Sequence, residues 1–70
     1  MSARAPRQLF ESARALHLGG NRAAAEPLYR EALDLDPGHT DSLYLLGTLC
    51  AESGRMDEAL ALMIRAAASA

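Results

Sequence analysis

Seventy residues make one small domain, and a chain this short buries only about 60% of the surface that it exposes when unfolded. Half of the residues are hydrophobic, yet aromatics reach only 4%; the apolar content is mostly Ala and Leu, strong helix formers, which excludes a strand-rich fold in favour of an all-α one. The net charge of −2 gives no electrostatic basis for binding nucleic acid, and no stretch approaches the ~20 apolar residues of a membrane span.

The predicted elements follow in chain order. Residues 1–5 read as an N-terminal tail without the apolar core of a secretory signal. A first helix runs from about Pro6 to Leu18, because proline suits a first helical position where its missing N–H would be unpaired anyway. Gly19 and Gly20 end it. Asn21 is placed to cap a second helix that reaches Leu35, with Pro27 inside it and expected to bend it modestly toward solvent. The run "DPGHT" ends that helix, and Thr40 is expected to cap a third from Asp41 to Ser53. Gly54 stops the third helix, and a fourth begins near Arg55 and continues to the last residue.

These four helices are two copies of one pattern. A shift of thirty-four residues pairs Leu9 with Leu43, Ala13 with Gly47, Leu16 with Cys50 and Gly20 with Gly54. In the second half of each unit it pairs Ala25 with Ala59, Leu28 with Leu62, Tyr29 with Met63 and Ala32 with Ala66. Small residues meet small ones, as close helix crossings require, and large apolar residues mostly meet large ones. A helix–turn–helix unit of this length and order resembles the tetratricopeptide repeat. The resemblance places repeat 1 at 6–39 and repeat 2 at 40–70, the second lacking its closing proline. Ser12, where the family usually has a large apolar residue, and Pro27 depart from the pattern.

The outer helices differ in their faces. The third helix carries Leu46 and Leu49 toward the helix before it, whereas the first has Ser12 and Ala15 there with Gln8 nearby, a polar version suited to facing water. The fourth helix gathers Asp57, Glu58, Arg65 and Ser69 on one side; Met56, Ala59, Leu60, Met63, Ala66, Ala67 and Ala70 face the other way, flanked by Leu62 and Ile64. That apolar arc is roughly 200° wide, about twice what a surface helix needs. The first unit has Glu26 and Arg30 where the fourth helix has Leu60 and Ile64, so the repeat itself does not demand apolar residues there. Leu60, Met63, Ile64 and Ala67 are therefore read as an association face, covered by further repeats, a second copy or another protein.

Catalytic and metal chemistry find little support. His17 and His39 lack companions at ligand spacing and read as solvated or turn histidines. "DLDPGHTD" imitates the start of a calcium loop, but its glycine comes one place early and Leu45 stands where a bidentate glutamate is needed. Ser42 and Asp41 beside His39 read as turn and first-turn residues, and the one cysteine, Cys50, fills a small core slot. Glu26 and Arg30 are spaced as an i,i+4 surface pair. The chain reads as non-catalytic, without cofactor or metal, and as cytoplasmic.

In the tetratricopeptide repeat family the first helices of successive repeats line a concave groove that holds a peptide or partner protein. Carried over, the resemblance assigns that groove to Phe10, Arg14, His17, Tyr44, Thr48 and Ala51, with Phe10 and Tyr44 side by side. Two specialisations of the family are missing. The chain has no lysine for a carboxylate clamp, and Glu11 and Leu45 replace the asparagine ladder of sugar-transferase members. The resemblance thus implies a protein–protein interaction module that binds a peptide or protein partner. The stretch "LLGTLCAESGRMDEALALMIRAA" also resembles leading repeats of bacterial proteins that join such arrays to a catalytic domain, so the alternative is the N-terminal part of a larger enzyme such as a glycosyltransferase.

Overall fold

A computed structural model describes residues 4–69 as four α-helices: α1 (Pro6–Leu18), α2 (Arg22–Leu35), α3 (Thr40–Glu52) and α4 (Met56–Ser69). The described residues include no strand, and none of their helices is long and apolar enough to cross a membrane. Most of the expected N-terminal tail, and Ala70 of the expected apolar arc, lie outside the described residues.

The helices pair as two hairpins, α1 with α2 and α3 with α4, and α3 packs back on α2 and α1. Both hairpins turn by the same local chemistry. Gly20 adopts φ 89° and Gly54 φ 82°, the left-handed region that glycine enters without penalty. The reversed chain then returns a hydrogen bond to the helix it has left: the Asn21 N–H donates to the Leu16 carbonyl at 2.8 Å, and the Arg55 N–H to the Cys50 carbonyl at 2.8 Å. Asn21 starts α2, its side-chain oxygen accepting from the Ala24 N–H at 3.2 Å.

The third helix corrects the sequence reading at its start. Thr40 is already helical, and its hydroxyl turns back toward the Gly38 carbonyl. His39 is the cap: its Nδ1 accepts from the Ser42 N–H at 3.3 Å and lies 2.8 Å from the Ser42 hydroxyl. An unprotonated ring nitrogen accepts as a carboxylate or hydroxyl oxygen would, and imidazole is easily overlooked among capping residues.

Burial follows the repeat. Leu9, Ala13, Ala25, Tyr29, Ala32, Leu43, Leu46 and Cys50 are fully buried, and Leu49, Ala59, Leu62 and Ala66 nearly so. Gly47 marks a close crossing of α3 and α4. A Cβ there would stand 3.0 Å from the Met63 Cγ and 3.3 Å from the Ala59 carbonyl oxygen, so the methyl group that Ala13 carries at the equivalent place on α1 would fit only if the Met63 side chain shifted by a few tenths of an ångström. Leu46 and Leu49 are buried, while Gln8 and Ala15 on α1 are exposed and Ser12 is half-buried. Pro27 lies on the exposed side of α2, where its ring meets solvent.

Candidate functional site

Two surfaces hold the residues expected from the sequence to meet a partner. The first is a depression between α1 and α3, lined by Arg7, Phe10, Glu11, Arg14, Asp41, Tyr44 and Leu45. Three of the sequence-predicted groove residues meet here: Phe10, Arg14 and Tyr44. The lining is the repeat read twice, since Arg7 and Asp41, Phe10 and Tyr44, and Glu11 and Leu45 each stand thirty-four residues apart. Arg7 and Asp41 were legible from that register, one turn ahead of the aromatic pair.

Phe10 and Tyr44 share this surface unequally. Phe10 is only 8% exposed, its ring 6.1 Å from Tyr29 and 5.6 Å from His39, so it joins the floor to the core. Tyr44 is 56% exposed and offers an apolar ring with a polar tip. Thr48 and Ala51 follow on α3, half-buried, outside the depression; the Thr48 hydroxyl donates to the Tyr44 carbonyl at 3.1 Å. Arg7 and Glu11 form an exposed ion pair at 3.3 Å, worth little by itself.

His17 is the clearest correction to the sequence reading. Its side chain is 8% exposed rather than solvated. Nδ1 lies 3.0 Å from the Tyr29 hydroxyl and Nε2 lies 2.7 Å from a Glu52 carboxylate oxygen. The ring therefore ties α1 to α2 and α3, with both nitrogens occupied. Burial pushes the Tyr29 hydroxyl up to about 12, and the Glu52 charge adds to this while Arg14 opposes it. Tyr29 stays a neutral hydrogen-bonding group. His39 does lie in the turn before α3, where it packs on Phe10 and caps the helix, and its partner Ser42 is fully buried. Burial also raises the Cys50 thiol, which keeps it protonated in the core.

The second surface is best understood from the seam between the hairpins. Glu26 and Arg30 of α2 meet Arg55 and Glu58 in an alternating cluster of four charges. Arg55 donates to both Glu26 oxygens, at 2.7 and 3.0 Å, and Arg30 donates to the same carboxylate at 2.7 and 3.0 Å. Arg30 also bonds Glu58, and Arg55 reaches Glu58 at 3.4 Å. The hydrogen bonds from Arg55 chiefly hold the Glu26 carboxyl down at about 2, with Arg30 adding to them and burial opposing. The i,i+4 pair expected from the sequence is present, and its larger part is the connection to the next hairpin.

The translate of this seam lies on α4, where Leu60 and Ile64 replace Glu26 and Arg30. The described residues leave it mostly open. Leu60 is 63% exposed, Ile64 60% and Met56 61%; Ala67 is also exposed and Met63 half-buried. Beside this stripe an apolar cleft opens between α3 and α4, lined by Thr40, Asp41, Tyr44, Met63, Ala66 and Ala67. The predicted association residues Leu60, Met63, Ile64 and Ala67 thus share one side of one helix.

Comparison with curated proteins and with solved structures gives no match. The family model described as tetratricopeptide repeat matches residues 16–70, from the last turn of α1 through α4. Repeats of this kind generally mediate protein–protein interaction. The doubled hairpins, the matched glycine turns and the small residues at the helix crossings are what that match describes in physical terms, and the chain belongs to the tetratricopeptide repeat family.

Proposed function

We propose that the chain is a non-catalytic, cytoplasmic interaction module, with repeat 1 at 6–39 and repeat 2 at 40–70, that uses both surfaces. A peptide or protein partner lies along the concave side against Tyr44, with Phe10 beneath it and Arg14 at the rim. Thr48 and Ala51 extend the track along α3. His17 supports its edge from within, because its ring nitrogens are engaged by Tyr29 and Glu52. The apolar side of α4, built on Leu60, Met63, Ile64 and Ala67, is the association face.

One observation carries this reading. Glu26 and Arg30 are the α2 residues that hold the following hairpin, and the positions equivalent to them on α4 are Leu60 and Ile64, large, apolar and more than half exposed. A face that the repeat uses for contact is therefore apolar and open. Covering Leu60 and Ile64 fully is worth ~1.5–3 kcal/mol each. Light scattering across a concentration series tests the association. Mass rising with concentration is expected, and a monomer unchanged at high concentration removes the association face from the reading.

The same register favours a second reading, in which a further hairpin of a longer chain covers α4 and this segment begins a larger bacterial enzyme such as a glycosyltransferase. Reading the gene beyond residue 70 decides between them: more repeats followed by a catalytic domain support the second reading, and a stop codon removes it.

A further inference from the structure

We propose that the occupant of the α4 face is the α4 of a second copy, laid antiparallel across a two-fold axis at the level of Ala61. This rests on the association reading above and specifies its partner and geometry.

The two ends of the molecule are unlike, which argues against head-to-tail stacking. A copy stacked that way would bring α1 to the place where α3 sits in the seam. Where α3 brings Leu46 and Leu49, α1 has only Ser12 and Ala15, so the cleft would be left unfilled. Head-to-tail contacts also repeat without closing, whereas a two-fold contact buries the same patch on both copies and stops there. The apolar end therefore matches itself better than it matches the other end.

The pattern along α4 suits an antiparallel pair. At about 1.5 Å of rise per residue, Met56 and Ala67 lie on opposite sides of Ala61 by about 7.5 and 9 Å. Reversing a second helix about that level sets the large Met56 of one copy over the small Ala67 of the other. Met56 then stands at the mouth of the cleft between Tyr44 and Met63, where its flexible thioether suits an irregular gap. Leu60 meets its own symmetry mate near the axis, and Ile64 fits between Leu60 and Met56 of the second copy.

Charge supplies the second argument. Asp57 and Arg65 stand four residues before and four after Ala61, and both are exposed; Asp57 borders Ile64, and Arg65 lies further round the helix, beside Arg30, Asp34 and Leu62. Neither forms an ion pair among the described residues, although Arg65 donates one hydrogen bond to the Pro37 carbonyl at 3.2 Å. In an antiparallel pair centred on Ala61, Asp57 of each copy comes level with Arg65 of the other, giving two equivalent ion pairs. A parallel pair sets like charges together instead.

The test is sedimentation of the full chain over a concentration series, with charge-reversed variants. Asp57→Arg or Arg65→Asp alone is expected to weaken dimerisation about tenfold, because symmetry counts each repulsive pair twice. The double variant is expected to recover most of that loss. Leu60→Cys is expected to form an intermolecular disulfide on oxidation, while Ala67→Cys, about 18 Å along the axis from its mate, does not. Circular dichroism of each variant establishes that it is folded. Dimerisation that is lost in Leu60→Glu but indifferent to the charge reversals overturns the antiparallel arrangement and leaves association standing. A chain that stays monomeric throughout overturns both. A monomer that binds a following helical hairpin, supplied by a longer version of the chain, assigns the face to a further repeat and overturns the second-copy proposal.

Discussion

The seam between the hairpins and its translate on α4 occupy equivalent places in two copies of one structural unit, and their chemistry is opposite. At the seam, Glu26 and Arg30 find Arg55 and Glu58, and the charges alternate so that each carboxylate meets two guanidinium groups. On α4 the same two places hold Leu60 and Ile64, and both stay more than half exposed. A repeat fold therefore fixes where a neighbour will sit without fixing how it is held. The ionic seam is specific, since its hydrogen bonds require one register. The apolar face accepts any surface that excludes water from it, and its selectivity must come from the charges at its border.

The largest effect is expected from removing the apolar part of the seam. Leu46 is fully buried, in the one core cluster that also holds Phe10, Ala13, Ala25 and Tyr29 of the first hairpin. Leu46→Ala is expected to cost ~2–5 kcal/mol, the range for emptying a closed core site. A domain of this size holds only about 0.05–0.15 kcal/mol per residue in total, so thermal unfolding followed by circular dichroism should show the variant largely unfolded or with a much lowered midpoint. A midpoint within a few degrees of the parent would mean that the hairpins stand independently and that the seam does not matter.

The ionic part contributes less and carries a signature in pH. The Glu26 carboxyl sits at about 2 in the fold, against 4.5 for the free group. A lowered carboxylate value stabilises the fold fully above the unfolded value and loses that contribution as pH falls toward the folded one, here from about 4.5 down to about 2. The seam is partly exposed, and screening by solvent brings its share down to about 1 kcal/mol. Glu26→Gln should therefore be about that much less stable than the parent near neutral pH, and the two should converge as the pH approaches 2. Urea titrations at several pH values measure the difference; a constant gap across that range would place the stabilisation elsewhere.

The sequence made the repeat legible, because small residues at crossings and glycines at turns are local demands that recur at a fixed interval. Each helix begins within a residue of its expected start, α1, α2 and α3 end within a residue of theirs, and the glycine turns at Gly20 and Gly54 fall in place. Contacts between helices were harder to read. Glu26 and Arg30 announce themselves by spacing, but their link to Arg55 and Glu58 depends on how far the second hairpin is rotated against the first, which no local pattern encodes. His17 shows the same limit. It resembles any polar residue on a helix, and only the assembled fold brings Tyr29 and Glu52 to its two nitrogens. Leu60 and Ile64 were legible for the opposite reason: an arc wider than one neighbour can cover is visible in a single helix.

The mildest prediction is the transplant of the seam's own side chains onto α4. Leu60→Glu with Ile64→Arg copies Glu26 and Arg30 into the equivalent places. Both positions are more than half exposed, so little burial is lost within the chain. The new pair is spaced i,i+4 with glutamate first, the favourable order, worth ~0.2–0.5 kcal/mol on a helix. Folding stability should therefore change by no more than about 0.5 kcal/mol, in line with surface substitutions generally. Association should fall sharply, because desolvating an unpartnered carboxylate or guanidinium costs more than the remaining apolar contact returns. An unfolding midpoint close to the parent's together with a monomeric mass at every concentration is the expected result. A large loss of stability in the dilute monomer would mean that the stripe already belongs to the fold, and that the difference between seam and face is one of packing within the chain rather than of occupancy by a partner.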